Sequence, residues 1–504
     1  MPEPIEAEFA QPPIFTSEQE KHLQHLPRGD LADDPDLNPS ATTTAAPSVH
    51  HQTTGDIENG EKVIIVEFEP GSPEDPKNWS KGRKWFVTMG MSALCLAVAL
   101  GSAMPTGNLP DQRKDLHVSP VVINLMSEMI GRKPVYMISM FFYFIFTLPS
   151  ALAQNIGTML VCRLIAGTAS SAPMTNVGGT IADIWDASER GTPMAVFSLT
   201  IFMGPCLGPL LGGWIAIGTH GWRWIYWVLF IFLGFIFIFT CFAPETYAPI
   251  LLKKKAARLR KEHNTNAYRA QSEMNQVSLS ETLKVSLTRP FIFMFCEPIV
   301  LCMSIFLSFI YSLLYLLFFA FPIAFEEVRG WNTGLTGTAF IAVMLGICIA
   351  FAALQYQEVL YARATVNGAC PEARLYPMML GALILPVALF IFAFTGGYEW
   401  VHWIGPCVGG CLFGLAMLLI YVSANSYIVD SYVSFAASAM AAKTLMRSLA
   451  GASVPLWVTQ MFHNMGFQYA GLLLALIACV IAPIPYIFFF KGGAVRKRST
   501  RATQ

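Results

Sequence analysis

Gly204-Pro-Cys-Leu-Gly-Pro-Leu-Leu-Gly-Gly213 lies inside an apolar segment that runs from about Met194 to Ile217. Glycine and proline cost about 1 and about 3 kcal/mol relative to alanine inside a helix. In water, four glycines and two prolines in ten residues would end the element. In a bilayer every backbone N–H and C=O still needs a partner, so such a stretch persists as a helix packed against neighbours. Gly204, Gly208 and Gly212 fall four apart and share one face, where another backbone can come close. Pro205 and Pro209 put kinks beside that face, and Gly213 ends the run. A plain glycine packing face would look much the same; the paired Gly-Pro steps and the terminal Gly-Gly point to a more specific helix contact.

The rest of the chain fits a membrane setting. It has 504 residues, 54% of them hydrophobic and 13% charged. Soluble chains carry about 25% charged residues. The chain reads as an all-α polytopic membrane protein with the lipid bilayer as its first partner. Its formal net charge is zero, which gives no reason to expect nucleic acid. Of eleven cysteines, ten between Cys95 and Cys479 lie in apolar spans and Cys370 lies in a loop. They read as small buried residues, not as disulfides or a zinc site. Cys407 and Cys411 are four apart but have no His, Asp or second Cys pair with them, so no metal is expected. No Gly-Lys-Ser/Thr phosphate loop and no nucleophile–base set occurs, which argues against an enzyme and an ATP-driven pump, and no cofactor is expected. Residues 1–80 are rich in Pro, Thr, Asp, Glu and His; they read as a disordered cytosolic tail without a signal peptide.

A helix needs about 20 apolar residues to span a bilayer. Eleven segments qualify: 85–106, 135–154, 157–182, 193–216, 224–245, 290–322, 334–355, 377–396, 403–428, 435–459 and 466–490. The long sixth segment is expected to begin with an interfacial turn around Pro290–Pro298. Residues 246–289 form a linker with Lys253, Lys254, Lys255, Arg258, Arg260 and Lys261, and residues 491–504 form a basic tail; both are expected in the cytosol. Six spans between them keep the two ends on one side. The N-terminal half, 81–245, breaks this parity. Lys81, Arg83 and Lys84 precede its first span and Arg132-Lys133 follow it, so both basic points should be cytosolic. Only one full span separates them. The remaining apolar stretch, Val118–Ile130, is interrupted by Asn124, Ser127 and Glu128. As a helix it would reach roughly 20 Å against a hydrocarbon core of about 30 Å.

Several segments resemble the major facilitator superfamily, in particular the fungal drug:proton antiporters of the twelve-span type. Asp75-Pro-Lys-Asn-Trp-Ser80 is similar to the segment before their first helix, and Ser127-Glu-Met-Ile-Gly-Arg-Lys-Pro-Val-Tyr136 to the loop between helices two and three. Cys162-Arg-Leu-Ile-Ala-Gly167 resembles the fourth-helix arginine motif, and the glycine decapeptide resembles the antiporter motif of helix five. Pro244-Glu-Thr-Tyr247, Glu297-Pro-Ile-Val-Leu301, Tyr427-Ile-Val-Asp-Ser-Tyr432, Ala436-Ala-Ser-Ala-Met440 and Pro483-Ile-Pro-Tyr486 continue the match in order. The resemblance implies two six-helix halves, with substrate handled at their interface. Against that pattern the second helix reads as cut: Val121–Leu125 is similar to its start and Met126-Ser-Glu128 to its exit. About 20 to 25 residues, the length of one span, are absent between Leu125 and Met126. A skipped exon or a faulty gene annotation explains the gap; so does a real, shortened protein.

The resemblance also assigns roles. Arg163 is implied as a proton-coupling residue, although its nearness to Asn155 also suits an arginine reaching the outer interface. Glu128, Gly131, Arg132 and Lys133 are implied as a cytosolic latch, with Asp183 or Glu189 as acids for Arg132; solvated topogenic charges are the plainer reading. Helices one, four, seven and ten line the cavity in the family. That mapping points to Asn176, to Ser308, Tyr311, Ser312 and Tyr315, and to Tyr421, Ser423 and Asn425 as substrate-facing. Lys443 and Arg447 read as inner-boundary anchors, or as residues facing Asp430. The expected function is proton-driven export of small organic compounds by a monomer in a fungal plasma membrane. An importer on the same fold and an inactive or regulatory truncated protein are the alternatives.

Overall fold

The computed structural model describes residues 57–58, 61–69, 71–104, 132–186, 189–219, 221–274, 279–364, 371–432 and 435–499. Glu128 and Gly131, and the junction of Leu125 with Met126, lie outside the described residues.

Long helices dominate. In the first half they are α1 (Lys81–Ala103), α2 (Arg132–Leu152), α3 (Ile156–Ile184), α4 (Gly191–Thr219) and α5 (Arg223–Phe242). A linker helix α6 (Ala248–His263) follows, then α7 (Leu279–Cys296). The second half holds α8 (Pro298–Pro322), α9 (Phe340–Ala364), α10 (Tyr376–Gly396), α11 (Ile404–Ser431), α12 (Ala436–Met465) and the pair α13 (Phe467–Ile481) and α14 (Ile484–Arg498). Nine of the described helical segments are long and apolar enough to cross a membrane. The 29-residue α3 and the 30-residue α12 are long enough but less apolar. They carry Arg163 and Asn176, and Lys443 and Arg447, respectively. All eleven spans expected from the sequence thus correspond to helices.

The helix starts follow local chemistry. The Ser80 hydroxyl accepts from the Arg83 amide at the start of α1, and the Asn155 side chain accepts from the Thr158 amide at the start of α3. Pro290 lies within α7; the chain breaks at Glu297, and Pro298 opens α8. The interfacial turn therefore sits at the second of the two prolines that bracket it in the sequence reading. Proline at the first helical turn loses no hydrogen bond, which is why the break falls there.

Within the first half, α1 packs on α4 and α2 packs on α3 and α5; within the second, α8 packs on α12, α9 on α11 and α10 on α11 and α13. The halves meet where α4 lies against a short helix, Thr333–Thr338, and against α9. One apolar core runs through both halves.

Part of the segment expected to be a disordered tail is ordered. Strand β1 (Ile57–Glu58) pairs antiparallel with β2 (Glu61–Lys62), and β3 (Ile64–Ile65) pairs parallel with β4 (Tyr268–Arg269) of the linker. Val66 packs with Ala256 and Ala270, and Lys255 and Arg258 both approach Glu74. The run Val63-Ile64-Ile65-Val66, with Val63 and Val66 buried, supplies an apolar edge that the polar average of residues 1–80 hides.

Candidate functional site

Arg132 organises the linker end of the first half. The first amides of α2 have no helical partner, so they are natural anion sites. The Arg132 and Lys133 amides both donate to Glu245, at 3.1 Å each. Glu245 also accepts from the Thr246 and Tyr247 amides, both at 3.0 Å. The Arg132 side chain donates to Asp183 at 3.3 Å and to the Asn176 carbonyl oxygen at 3.5 Å, and its guanidinium lies 5.0 Å over the Tyr247 ring. Gly179 leaves room for it: a Cβ there would stand 2.7 Å from Arg132 Nη2. The ends of α2, α3 and α5 are thereby tied together. Of the two acids expected for Arg132, Asp183 is the one it meets; Glu189 pairs with Lys81 at 3.0 Å.

The second half repeats the arrangement. Arg374 donates to Asp430 at 3.1 Å, with its guanidinium 3.5 Å over Tyr361. Arg496 holds Glu372 at 2.6 Å. Asp430 therefore faces Arg374, not Lys443 or Arg447. An Arg before the third helix of a half and an acid at the end of the fourth are the sequence signal that would have found this pair.

Asp183→Asn should leave Arg132 without its charged partner. Side-chain exposures of 11% and 19% leave some solvent screening. Removing one partner of a mostly buried pair then costs about 1.5–3 kcal/mol, or ten- to hundredfold in an equilibrium. The expected result is a lower unfolding temperature in detergent and, with a full span restored between Leu125 and Met126, at least tenfold slower transport. Wild-type transport with an unshifted unfolding temperature would remove the latch from the account.

A second polar cluster lies deep in the second half. Tyr311 and Tyr315 share a face of α8, with hydroxyls 3.3 Å apart and ring centroids 5.0 Å apart. Arg447 donates to the Tyr421 hydroxyl at 2.9 Å and lies 4.3 Å over the Tyr311 ring. Lys443 donates to the Asn425 side-chain oxygen at 2.7 Å and lies 5.1 Å from the Tyr421 ring centroid. Gly451 of α12 makes the space for Tyr311; a Cβ there would meet the ring at 2.9 Å. Phe202 of α4 meets Tyr421 edge-on at 4.6 Å, so the cluster touches the first half. The structure brings together Tyr311, Tyr315, Tyr421 and Asn425. It places Asn176 elsewhere, against Arg132. Lys443 and Arg447 join the cluster instead of anchoring a membrane boundary, because α12 extends about two to three further turns on their linker side.

Arg163 turns inward. Its guanidinium donates to the Gly101 carbonyl at 3.1 Å and lies 5.2 Å over the Tyr226 ring. It joins α3 to the ends of α1 and α5 that lie away from the linker. Arg329 does similar work in the second half: it donates to the carbonyls of Ala324, Thr395, Gly396 and Tyr398, at 2.6 to 2.9 Å. Positive charge at helix C-termini complements the helix dipole. Burial lowers the Arg329 pKa below its usual value.

The glycine run of α4 touches two partners. A Cβ on Gly208 would stand 2.5 Å from the Ala103 Cβ and 2.7 Å from the Ala103 carbonyl carbon. A Cβ on Gly212 would stand 2.5 Å from the Met104 carbonyl oxygen. On its other side, a Cβ on Gly213 would stand 2.5 Å from the Thr333 carbonyl oxygen, and the Pro209 carbonyl would meet a Cβ on Gly337 at the same distance. One helix thus lies backbone to backbone with α1 of its own half and with the opposite half.

Residues 118–455 match the family model described as the Major Facilitator Superfamily. The chain belongs to the major facilitator superfamily. It is a multi-pass membrane protein and a secondary transporter by that membership. It is 41% identical to the MFS-type transporter paaT of Penicillium rubens over 501 positions, which take in 94% of this chain and 90% of that one. It is 37% identical to the MFS-type efflux pump MFS2 of Trichophyton rubrum, over 86% of this chain and 76% of that one. It is 37% identical to polyamine transporter 3 of Saccharomyces cerevisiae, over 87% of this chain and 74% of that one. The fold is similar to that of the proton:xylose symporter XylE, with a TM-score of 0.56 and 14% identity, covering 82% of this chain and 97% of that one. These relatives place the chain among fungal transporters of the drug-efflux type.

Proposed function

We propose that this protein is a proton-coupled exporter of small organic compounds, working as a monomer in a fungal plasma membrane with the linker in the cytosol. The observation that carries the reading is the double contact of α4. The helix whose glycines let it touch α1 also lies against the short helix Thr333–Thr338 and against α9 of the other half, so a shift of one half against the other must act through it. Names of relatives such as the efflux pump MFS2 of Trichophyton rubrum support the outward direction. In this reading the Arg132 latch closes the cytosolic end, and Arg163 serves proton coupling through the ends of α1 and α5. The cluster of Tyr311, Tyr315, Tyr421 and Asn425 faces substrate.

The test uses the purified protein with an apolar segment of about 22 residues, one span long, restored between Leu125 and Met126, in sealed vesicles loaded with a fluorescent organic substrate. An imposed pH step should drive efflux without nucleotide, and a protonophore should abolish it. Efflux that needs ATP and ignores the pH step would overturn the proposal.

A further inference from the structure

We propose that this transporter carries organic anions, with Lys443 and Arg447 holding the substrate's carboxylate. The inference rests on the reading of the central cluster as a substrate site, and it names the chemical class that site takes.

Lys443 and Arg447 are four residues apart on α12 and share a face, where two like charges repel. At 1.5 Å per residue they lie about 10 and about 16 Å along the helix from Ala436. That depth lies within the bilayer, where a charge is costly and is usually answered by an opposite one. Lys443 is 1% exposed. Its polar contacts are the neutral Asn425 oxygen and the Tyr421 side chain, hydroxyl and ring; those of Arg447 are the same Tyr421 hydroxyl and the Tyr311 ring. None of the ion pairs formed among the described residues includes either cation. Carboxylates answer the arginines of both latches, Arg132 and Arg374, but not this pair.

The geometry adds a direction. Arg447 uses Nη1 for Tyr421, while its Nε is enclosed and has no hydrogen-bond partner. A carboxylate binds a guanidinium best through two parallel bonds, and the edge carrying Nε is the one that Tyr421 leaves. Lys443, one turn away, supplies a second positive charge. The Tyr311 and Tyr315 rings, and Phe202 from the opposite half, offer flat apolar surface beside those charges. The matching ligand has an acidic head and an aromatic body. An organic cation would meet two like charges and, among the described residues, no carboxylate paired with them.

The test is equilibrium binding to the full chain, purified in detergent, by calorimetry. The probes are 2-naphthoate, 2-naphthamide and 2-naphthylmethylammonium, which share a ring system and differ in charge. Naphthoate should bind at least tenfold more tightly than the amide, and the ammonium should not bind. Lys443→Gln should weaken naphthoate at least tenfold and the amide several-fold less than that, and Lys443→Arg should restore naphthoate binding. If Lys443→Gln does not fold, Arg447→Lys keeps the charge but loses the two-bond geometry, and should still weaken naphthoate several-fold. Equal affinity for acid and amide, preference for the ammonium, binding of none of the three, or unchanged naphthoate affinity in the folded variants would overturn the inference. No gradient enters this measurement. Loss of proton coupling in the vesicle assay would therefore leave it standing, and failure of naphthoate binding would leave proton-driven export standing.

Discussion

With a full span restored between Leu125 and Met126, Gly208→Leu abolishes transport while the protein still reaches the membrane, and no compensating change on α1 restores it. The reason is what the new atoms meet. The first added carbon would already stand 2.7 Å from the Ala103 carbonyl carbon and 2.8 Å from the Met104 amide nitrogen. Those are backbone atoms, and they move only if α1 moves. Overpacking a tight core costs about 1–3 kcal/mol even where side chains can yield; here the two helices must separate. Without water to drive apolar association, helices in lipid hold together through this close packing, so the separated pair has little left to join it. One turn earlier the outcome differs. A Cβ on Gly204 would run into the Ala99 Cβ, whereas the nearest backbone atoms stand at 3.3 Å. Gly204→Ala should therefore impair efflux severely, and adding Ala99→Gly should recover most of it. Efflux of the three variants, each normalised to surface protein, reads the difference. Wild-type activity in Gly208→Leu, or failure of Ala99→Gly to help Gly204→Ala, would show that this contact does not govern transport.

The glycine face could be read from sequence because a period of four on one helix needs no knowledge of its partner. The partner itself could not be read. That α1 supplies Ala99 and Ala103 follows only from packing. The spans were legible for the same reason as the glycines: their length is set by the bilayer. Helices α3 and α12 fall below the apolar threshold, and they carry the charges the site uses. Tyr311 and Tyr315 were found as an i,i+4 pair, which holds on any helix. Lys443 and Arg447 were read as boundary residues, because distance from a helix end is one-dimensional and says nothing of the rotation that turns them onto Tyr421. Asn176 failed in the opposite way. Its place in the fourth family helix suggested the cavity, but its face of α3 points to Arg132. Strand β3 takes its partner from β4, about two hundred residues away, and no local pattern reports that pairing.

As it stands, the chain should export poorly or not at all, and inserting an apolar segment of about 22 residues, one span long, between Leu125 and Met126 should restore activity. The structure sharpens the topological reason. Met104, at the end of α1, lies against Gly212 and so at the end of the bundle away from the linker. Arg132, at the start of α2, lies with Glu245 at the linker end. Met104 and Arg132 therefore stand at opposite ends of the bundle, and between them in the sequence lie residues 105–131. Their apolar stretch, Val118–Ile130, is interrupted by Asn124, Ser127 and Glu128, and as a helix it would reach roughly 20 Å. Forcing it across exposes a charge or unpaired backbone to lipid, at a cost of several kcal/mol. Leaving it on one side puts the basic N-terminal flank or the basic linker on the wrong face, against the charge rule. The alignment with the Penicillium rubens relative points the same way: it runs over 501 positions but takes in 94% of this 504-residue chain, so part of the relative stands opposite no residue here. An N-terminal epitope probed in sealed cells, together with an efflux assay of the chain with and without the insertion, decides the matter. Full efflux by the uninserted chain with its epitope inside would show that twelve complete helices are not needed, and that the short crossing is a working part of this transporter.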